Sequence, residues 1–409
     1  MPSGGRRLRV LIVSAVIPIQ GSGAGCLTMY RHFVLRNDFE VAVATDRDDE
    51  VPGVNTLHIQ EDRITARLRK TRFTRLVRNI NYIRTWCFLP SSLRQFASDF
   101  APDVIFSVVD DSHMGLAWQL SRAINVPLAV DFQDLFAVSN FIDMYSRPYS
   151  PVRDFLLRKY RFLNRSADVV FHVGEGMRDW FGAEARGELL YPMAGGGLRR
   201  AARGPHNGAE INCLRVLYTG NCRGAYGKMV LRVALESMKQ PGLELKVYSL
   251  GTDMAERDRE HLEKAGVYCG YLPYESLIGE LEAADVFLIV MGFEDNETDF
   301  VATSFNTKWV DYVAFGKPII VWAPRHSSAA RFAAENSAAC IVDQDDAVAV
   351  SDMMRLLMGS REHREQLAAG ARMAAEGPLN PERLQELLKS SLYDAVGRAS
   401  LGKAECGFA

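Results

Sequence analysis

Short apolar runs recur along the whole chain, and they restrict what it can fold into more than any other feature. In the first half they fall at 8–15, 41–45, 55–59, 104–109, 128–131, 169–173 and 189–191. In the second half they fall at 214–219, 245–249, 267–271, 286–291, 319–322 and 340–342. Unbroken runs of this kind, rich in Val and Ile, suit strands covered on both faces, as in a parallel sheet. Amphipathic stretches with helical spacing lie between many of them, at 27–36, 114–125 and 152–166, then at 348–358, 362–375 and 381–396. This alternation of strand and helix predicts an α/β chain of Rossmann-like, doubly wound parallel sheets.

At 409 residues the chain has room for two domains, each with its own core. Composition shifts near Pro192, where a segment rich in Gly, Arg and Ala loses its apolar periodicity. The expected division is a first domain over 1–192, a linker over 193–212, a second domain over 213–380 and a helical tail over 381–409. The seven cysteines are scattered and form no C-x-x-C pair, which points to a reducing cytoplasm with neither disulfides nor a zinc site. A net charge of −2 gives no nucleic-acid signature. No apolar run approaches the ~20 residues that span a bilayer. The basic start runs straight into the first strand without a small-residue cleavage site, so no secretory signal is expected.

Ligands of doubly wound sheets sit beyond the strand C-termini, so the loops there are the candidate sites. After the first strand, Gly21, Gly23 and Gly25 precede a helix, although not in G-x-G-x-x-G spacing. After the strand at 214–219 come Gly220, Asn221, Arg223 and Lys228, a loop of small residues and cations opening a helix, without the Walker A pattern. In 303–323, Thr303 and Ser304 are expected to cap a helix whose apolar side is Trp309, Val310, Val313 and Ala314. Gly316 ends that helix and Pro318 opens a buried strand. Lys308, in its first turn, would attract an anion.

The set Asn306, Thr307, Lys308, Asp311, Tyr312, Gly316, Lys317 and Pro318 resembles the donor-site signature of retaining GT-B glycosyltransferases, in particular the family-four group (glycosyltransferase group 1). The resemblance is sharp over 214–377; before that it rests on strand order and loop placement. It implies two Rossmann-like domains facing across a cleft, with the last helix crossing back to the first. It implies a nucleotide-sugar co-substrate, no cofactor and no metal. Lys228, Lys308 and Arg223 would hold the donor diphosphate, and Asp134 would touch the transferred sugar. Gly21, Gly23, Gly220, Asn221, Asn306 and Thr307 would line the donor, Tyr271 and Leu272 its base, and Asp311 its ribose. Thr303 stands where the group has the first of two acids, Asp311 being at the second, and Gln133 stands where a histidine often precedes Asp134. A non-catalytic nucleotide-sugar-binding partner subunit, or a nucleotide-sugar epimerase on the same scaffold, remain as alternatives.

Residues 63–94 carry nine Lys and Arg and no Asp or Glu, interleaved with apolar side chains. They read as a basic amphipathic helix suited to an anionic membrane surface or a lipid-linked or anionic glycan acceptor, with Arg69, Lys70, Arg72, Arg75 and Trp86 making contact. A solvated helix whose arginine stems cover the core is the plainer reading. Residues 1–190 hold 24 Lys and Arg against 21 Asp and Glu, and the remainder 24 against 29, so the expected acceptor half is the positive one. His113 is an acceptor-side candidate, or a helix cap.

Overall fold

The computed structural model describes residues 6–20, 23–60, 63–68, 70–138, 148–195, 212–294 and 298–406. Gly21, Arg69 and nearly all of the 193–212 stretch lie outside the described residues. The chain divides into two compact units, Met1–Met193 with Glu382–Ala409, and Ala194–Pro381.

The first unit runs β1 (Arg9–Val13), α1 (Gly23–Phe33), β2 (Glu40–Thr45), β3 (Asn55–His58), α2 (Arg63–Leu68), α3 (Thr74–Arg84), α4 (Ser91–Phe100) and β4 (Val104–Val108). It continues through α5 (Met114–Ile124), β5 (Leu128–Phe132), α6 (Ser150–Ser166), β6 (Val169–His172), α7 (Glu175–Trp180) and β7 (Glu188–Leu189). The seven strands are parallel in the order β3-β2-β1-β4-β5-β6-β7. Val10 pairs with Val41 on one side and Val104 on the other, as an unbroken apolar run at the sheet centre should. Val10, Ile12 and Phe106 turn to one face, where Phe33 of α1 completes the core, while α4 and α5 pack against β1 on their side.

The second unit runs β8 (Leu214–Thr219), α8 (Gly224–Ser237), β9 (Leu243–Tyr248), α9 (Glu256–Lys264), α10 (Tyr274–Ala283), β10 (Val286–Val290), α11 (Thr298–Thr303), α12 (Lys308–Ala314), β11 (Ile319–Trp322), α13 (Ser328–Asn336), β12 (Cys340–Val342), α14 (Ala347–Gly359) and α15 (Arg361–Glu376). Its five parallel strands are ordered β12-β11-β10-β8-β9. The last helix, α16 (Pro381–Cys406), packs on the first unit. Leu388 and Leu392 are fully buried among Val10, Phe33 and Phe171, and the Gln385 amide donates to the His32 carbonyl at 3.1 Å.

Three local expectations are corrected. The run 267–271 is no strand: it follows β9 through Val247 N–H to Val267 O, Cys269 N–H to Val247 O and Ser249 N–H to Gly270 O, but forms a single bridge. Gly266 and Gly270, both at φ +70°, turn it away from strand geometry at each end. Thr303 and Ser304 cap nothing. Thr303 ends α11, its hydroxyl donating back to Asp299 O, and the next helix begins only at Lys308, whose N–H is accepted by Asn306 Oδ1. The basic stretch 63–94 is not one helix but α2, α3 and the start of α4. The Thr71 hydroxyl donates to Leu68 O and accepts from Phe73 N–H, which draws the backbone out of the helix between α2 and α3.

Candidate functional site

In each sheet the strand order reverses direction once, and loops on either side of that point open a crevice. In the second unit the reversal lies between β8 and β10. The Tyr312 ring stacks on Phe287 of β10 at 4.4 Å, and its hydroxyl accepts from Thr219 N–H at the end of β8 at 2.9 Å. This fixes α12 over the crevice and brings Lys308 onto the loop after β8. A Cβ at Gly220 would lie 2.2 Å from Lys308 Cε and 2.5 Å from its Nζ, and Gly220 has φ +136°. Only glycine lets the ammonium rest on bare backbone there. The Lys308 side chain is half-buried, with Nζ 5.5 Å from the Tyr218 ring centre. Burial lowers its pKa to about 8, against the opposing charge of Cys222. Among the described residues no carboxylate pairs with it.

The other expected donor residues are distributed around this point. Asn221 sits in the same loop, its carbonyl accepting from the Tyr218 hydroxyl and its side chain accepting from Arg223 N–H. The Arg223 guanidinium lies against Gly251 after β9, so it belongs to the same sheet edge. Lys228 is exposed and pairs with Glu294 after β10 at 3.3 Å. The first amide of α8, at Gly224, is already taken by Asp253 Oδ2, an acid that the sequence reading passed over. Its signal is an acid in the turn after β9, the strand beside β8. Asp311 accepts from the Tyr274 hydroxyl at 3.2 Å, which ties it to the start of α10, just after Tyr271 and Leu272. Tyr271 is largely exposed; Thr307 precedes α12 and makes no side-chain cap. Lys317 is structural: its Nζ donates to the carbonyls of Leu281, Glu282 and Ala284 at the end of α10.

In the first unit the reversal lies between β1 and β4, and Asp110 spans it. Its Oδ2 accepts from Ala15 N–H at 2.7 Å and from the Ser14 hydroxyl; its Oδ1 accepts from Ser112 and His113 N–H. His113 begins α5 without a side-chain cap. Its buried ring instead lies between carboxylates, Nδ1 3.2 Å from Asp110 and Nε2 3.4 Å from Asp46. Burial would lower its pKa, but the Asp110 charge and hydrogen bond, with Asp46, lift it to about 9, so it is an imidazolium at neutral pH. Asp111 accepts from the Tyr160 hydroxyl at 2.6 Å, and burial raises it to about 7. Asp131 is likewise raised to about 7 by burial, against a hydrogen bond from the Gln133 amide.

Gln133 and the half-buried Asp134 follow β5. The close glycine approach at this edge is made by Gly25, not Gly23. A Cβ on Gly25 would stand 2.9 Å from Gln133 Oε1, whereas Gly23, at φ +81°, has open space around it. Trp86 also departs from expectation. It packs between Phe155 and Phe162 with the Lys159 ammonium 4.3 Å from its ring centre, away from the exposed apolar stripe. Arg75 lies over the Tyr149 ring, while Lys70 and Arg72 are exposed.

Residues 20–188 match the Glycosyl transferase 4-like domain. That match falls in the half where the residues themselves resembled the family least sharply. No curated protein matches the chain in sequence. Among solved structures it is similar to Anabaena Alr3699/HepE in complex with UDP and glucose, at 12% identity, covering 95% of this chain and 100% of that one with a TM-score of 0.64. Sucrose-phosphate synthase from Thermosynechococcus elongatus is 16% identical, with 96% and 100% covered and a TM-score of 0.65. The alpha,alpha-trehalose 6-phosphate synthase of Burkholderia multivorans is 13% identical, with 97% and 98% covered and a TM-score of 0.63. The two parallel α/β sheets are those of the GT-B glycosyltransferase fold. The family match covers 20–188 only, and the likeness to solved structures extends over both units as a likeness of fold.

Proposed function

We propose that the chain moves a sugar from a nucleoside diphosphate sugar to an acceptor hydroxyl, with retention at the anomeric carbon and without a metal, in the synthesis of a glycan or glycoconjugate. The observation that carries this reading is the half-buried Lys308 ammonium on the bare backbone of Gly220, at the reversal point of the second sheet. When the nucleoside diphosphate departs, negative charge builds on it. A cation already in place and partly out of water stabilises that charge more than solvent does. Arg223 and Lys228, on the same edge, would complete the cationic set, with Lys228 leaving Glu294 for the diphosphate. Asp311 would hold the ribose and the 271–272 segment the base.

The Anabaena protein of the same fold was solved with UDP and with UDP-glucose, so uridine diphosphate sugars are the first donors to try. The first unit, with Asp134 at its β5 edge, would receive the acceptor. Location is proposed as cytoplasmic, with peripheral contact to an anionic membrane through 63–94.

Calorimetric titration of the full chain with UDP tests the assignment. A diphosphate beside Lys308 pushes its pKa back up from about 8, so binding near pH 8.5 should take up a proton, and affinity should fall as pH rises above 8. Lys308→Met should abolish the proton uptake and weaken UDP roughly tenfold or more, the worth of one charge-assisted contact. Equal binding by the variant refutes the site. UDP released from UDP-sugar identifies a transferase and should survive EDTA; a new sugar isomer would mark an epimerase, and binding without turnover a partner subunit.

A further inference from the structure

The first unit encloses a cavity of about 730 Å³ that none of the donor chemistry uses. At its inner end is the buried His113, with the half-buried Ser112 beside it after β4 and the exposed Asp46 after β2. Gln60, after β3, and Asn81, on α3, add two amides. At its exposed end are Phe88, Leu89 and Pro90, between α3 and α4, with Phe88 67% exposed. From there the apolar surface continues along α3 through Ile83 and Ile80, both exposed.

We infer that this cavity binds an amphiphilic glycoside, a hydroxyl-rich head joined to an apolar tail. A carboxylate, a guanidinium, two amides and a hydroxyl are groups that pair with sugar hydroxyls, each able to take one or two hydrogen bonds. The lining carries both signs, Asp46 on one side with Arg84 and His113 on the other, and the charge of His113 is already balanced by Asp46 and Asp110, so hydroxyls that both donate and accept suit these walls better than a simple anion. An apolar exit beside polar walls suits a molecule that is itself divided in this way, and the exposed stripe of α3 gives its tail somewhere to lie out of water. The inference rests on the transfer reading only in calling this molecule the acceptor.

Binding to the full chain without nucleotide is measured by calorimetry with three probes, n-octyl glucoside below its micelle concentration, methyl glucoside and octyl phosphate. Octyl glucoside should saturate one site and bind at least about tenfold more tightly than methyl glucoside, because of its buried tail. Asn81→Ala and Phe88→Ser should each weaken it about fivefold or more while leaving UDP binding unchanged, which also shows the variants to be folded. Methyl glucoside binding equally well removes the tail from the proposal. Octyl phosphate binding more tightly replaces the hydroxyl-rich head with an anionic one. Variants with undiminished affinity overturn the site. Loss of UDP binding in wild type with octyl glucoside still bound to this cavity would sink the transfer reading and leave the cavity standing.

Discussion

Lys308 and Lys317 belong to one motif and are both lowered to about 8 by burial, yet only one lies on the loop at the sheet's reversal point. Lys317 donates to three carbonyls at a helix end, while Lys308 rests on a glycine. The motif names both residues but not where their side chains point, because that depends on which carbonyls a neighbouring helix leaves open. Thr303 was misread for a related reason: Thr favours helix starts, but its hydroxyl also bonds back one turn, and here it ends a helix. The span of Asp110 to Ala15 depends on the sheet order, which sets β1 beside β4. Asp111 carries a test of the buried polar cluster. Unfolded, its carboxyl ionises near 3.8; folded, it keeps its proton up to about 7. A raised carboxyl costs stability progressively as pH rises between those values, and the loss is complete above 7. Asp111→Asn keeps an acceptor for the Tyr160 hydroxyl and removes the titration. Thermal unfolding should therefore give the variant the higher Tm at pH 8, with the gap narrowing toward pH 4. A gap independent of pH would contradict the buried, protonated carboxyl.

Elements were more legible than residues. The bounds of β8, β11 and β12 coincide with the apolar runs that announce them, and β11, buried throughout, has no polar interruption. The run 267–271 has the same composition but is flanked and interrupted by glycines, and a backbone with φ near +70° does not extend a ladder. In the basic stretch the amphipathic character was legible and the outward face was not. On α3, Leu76, Ile80 and Ile83 are exposed, with Phe73 just before them, while Asn79 and Tyr82 point inward. The exposed face is thus the apolar one, with Lys70 and Arg72 beside it. Each such cation near an anionic leaflet contributes on the order of 1 kcal/mol. Co-sedimentation with phosphatidylglycerol vesicles at low salt should show binding that added salt weakens. Lys70→Glu with Arg72→Glu should reduce it severalfold, and Ile80→Ser should reduce it even in low salt. Wild type left in the supernatant at low salt would make the acceptor a soluble one.

At the scale of the whole molecule, the first unit is discontinuous in sequence: Glu382–Ala409 returns to it after the second unit has been completed. Leu384, Leu388 and Leu392 of α16 are buried, and losing a buried leucine costs about 2 to 5 kcal/mol. Three such losses rival the roughly 5 to 15 kcal/mol that holds a domain folded. A chain ending at Asn380 should therefore lose or sharply lower the unfolding transition of the first unit in calorimetry, while the second unit, whose core draws on 214–367, keeps its own. An unchanged first transition would show the helix to be dispensable. The two units share one strand-and-helix plan, yet the charges at their reversal points have opposite signs. One presents the Lys308 ammonium; the other is closed by Asp110, with a single imidazolium answering two carboxylates. Architecture alone would leave two equivalent berths for a phosphate, and these few side chains break the tie, so that an anion drifting onto the chain is welcomed at one berth and turned away from its twin.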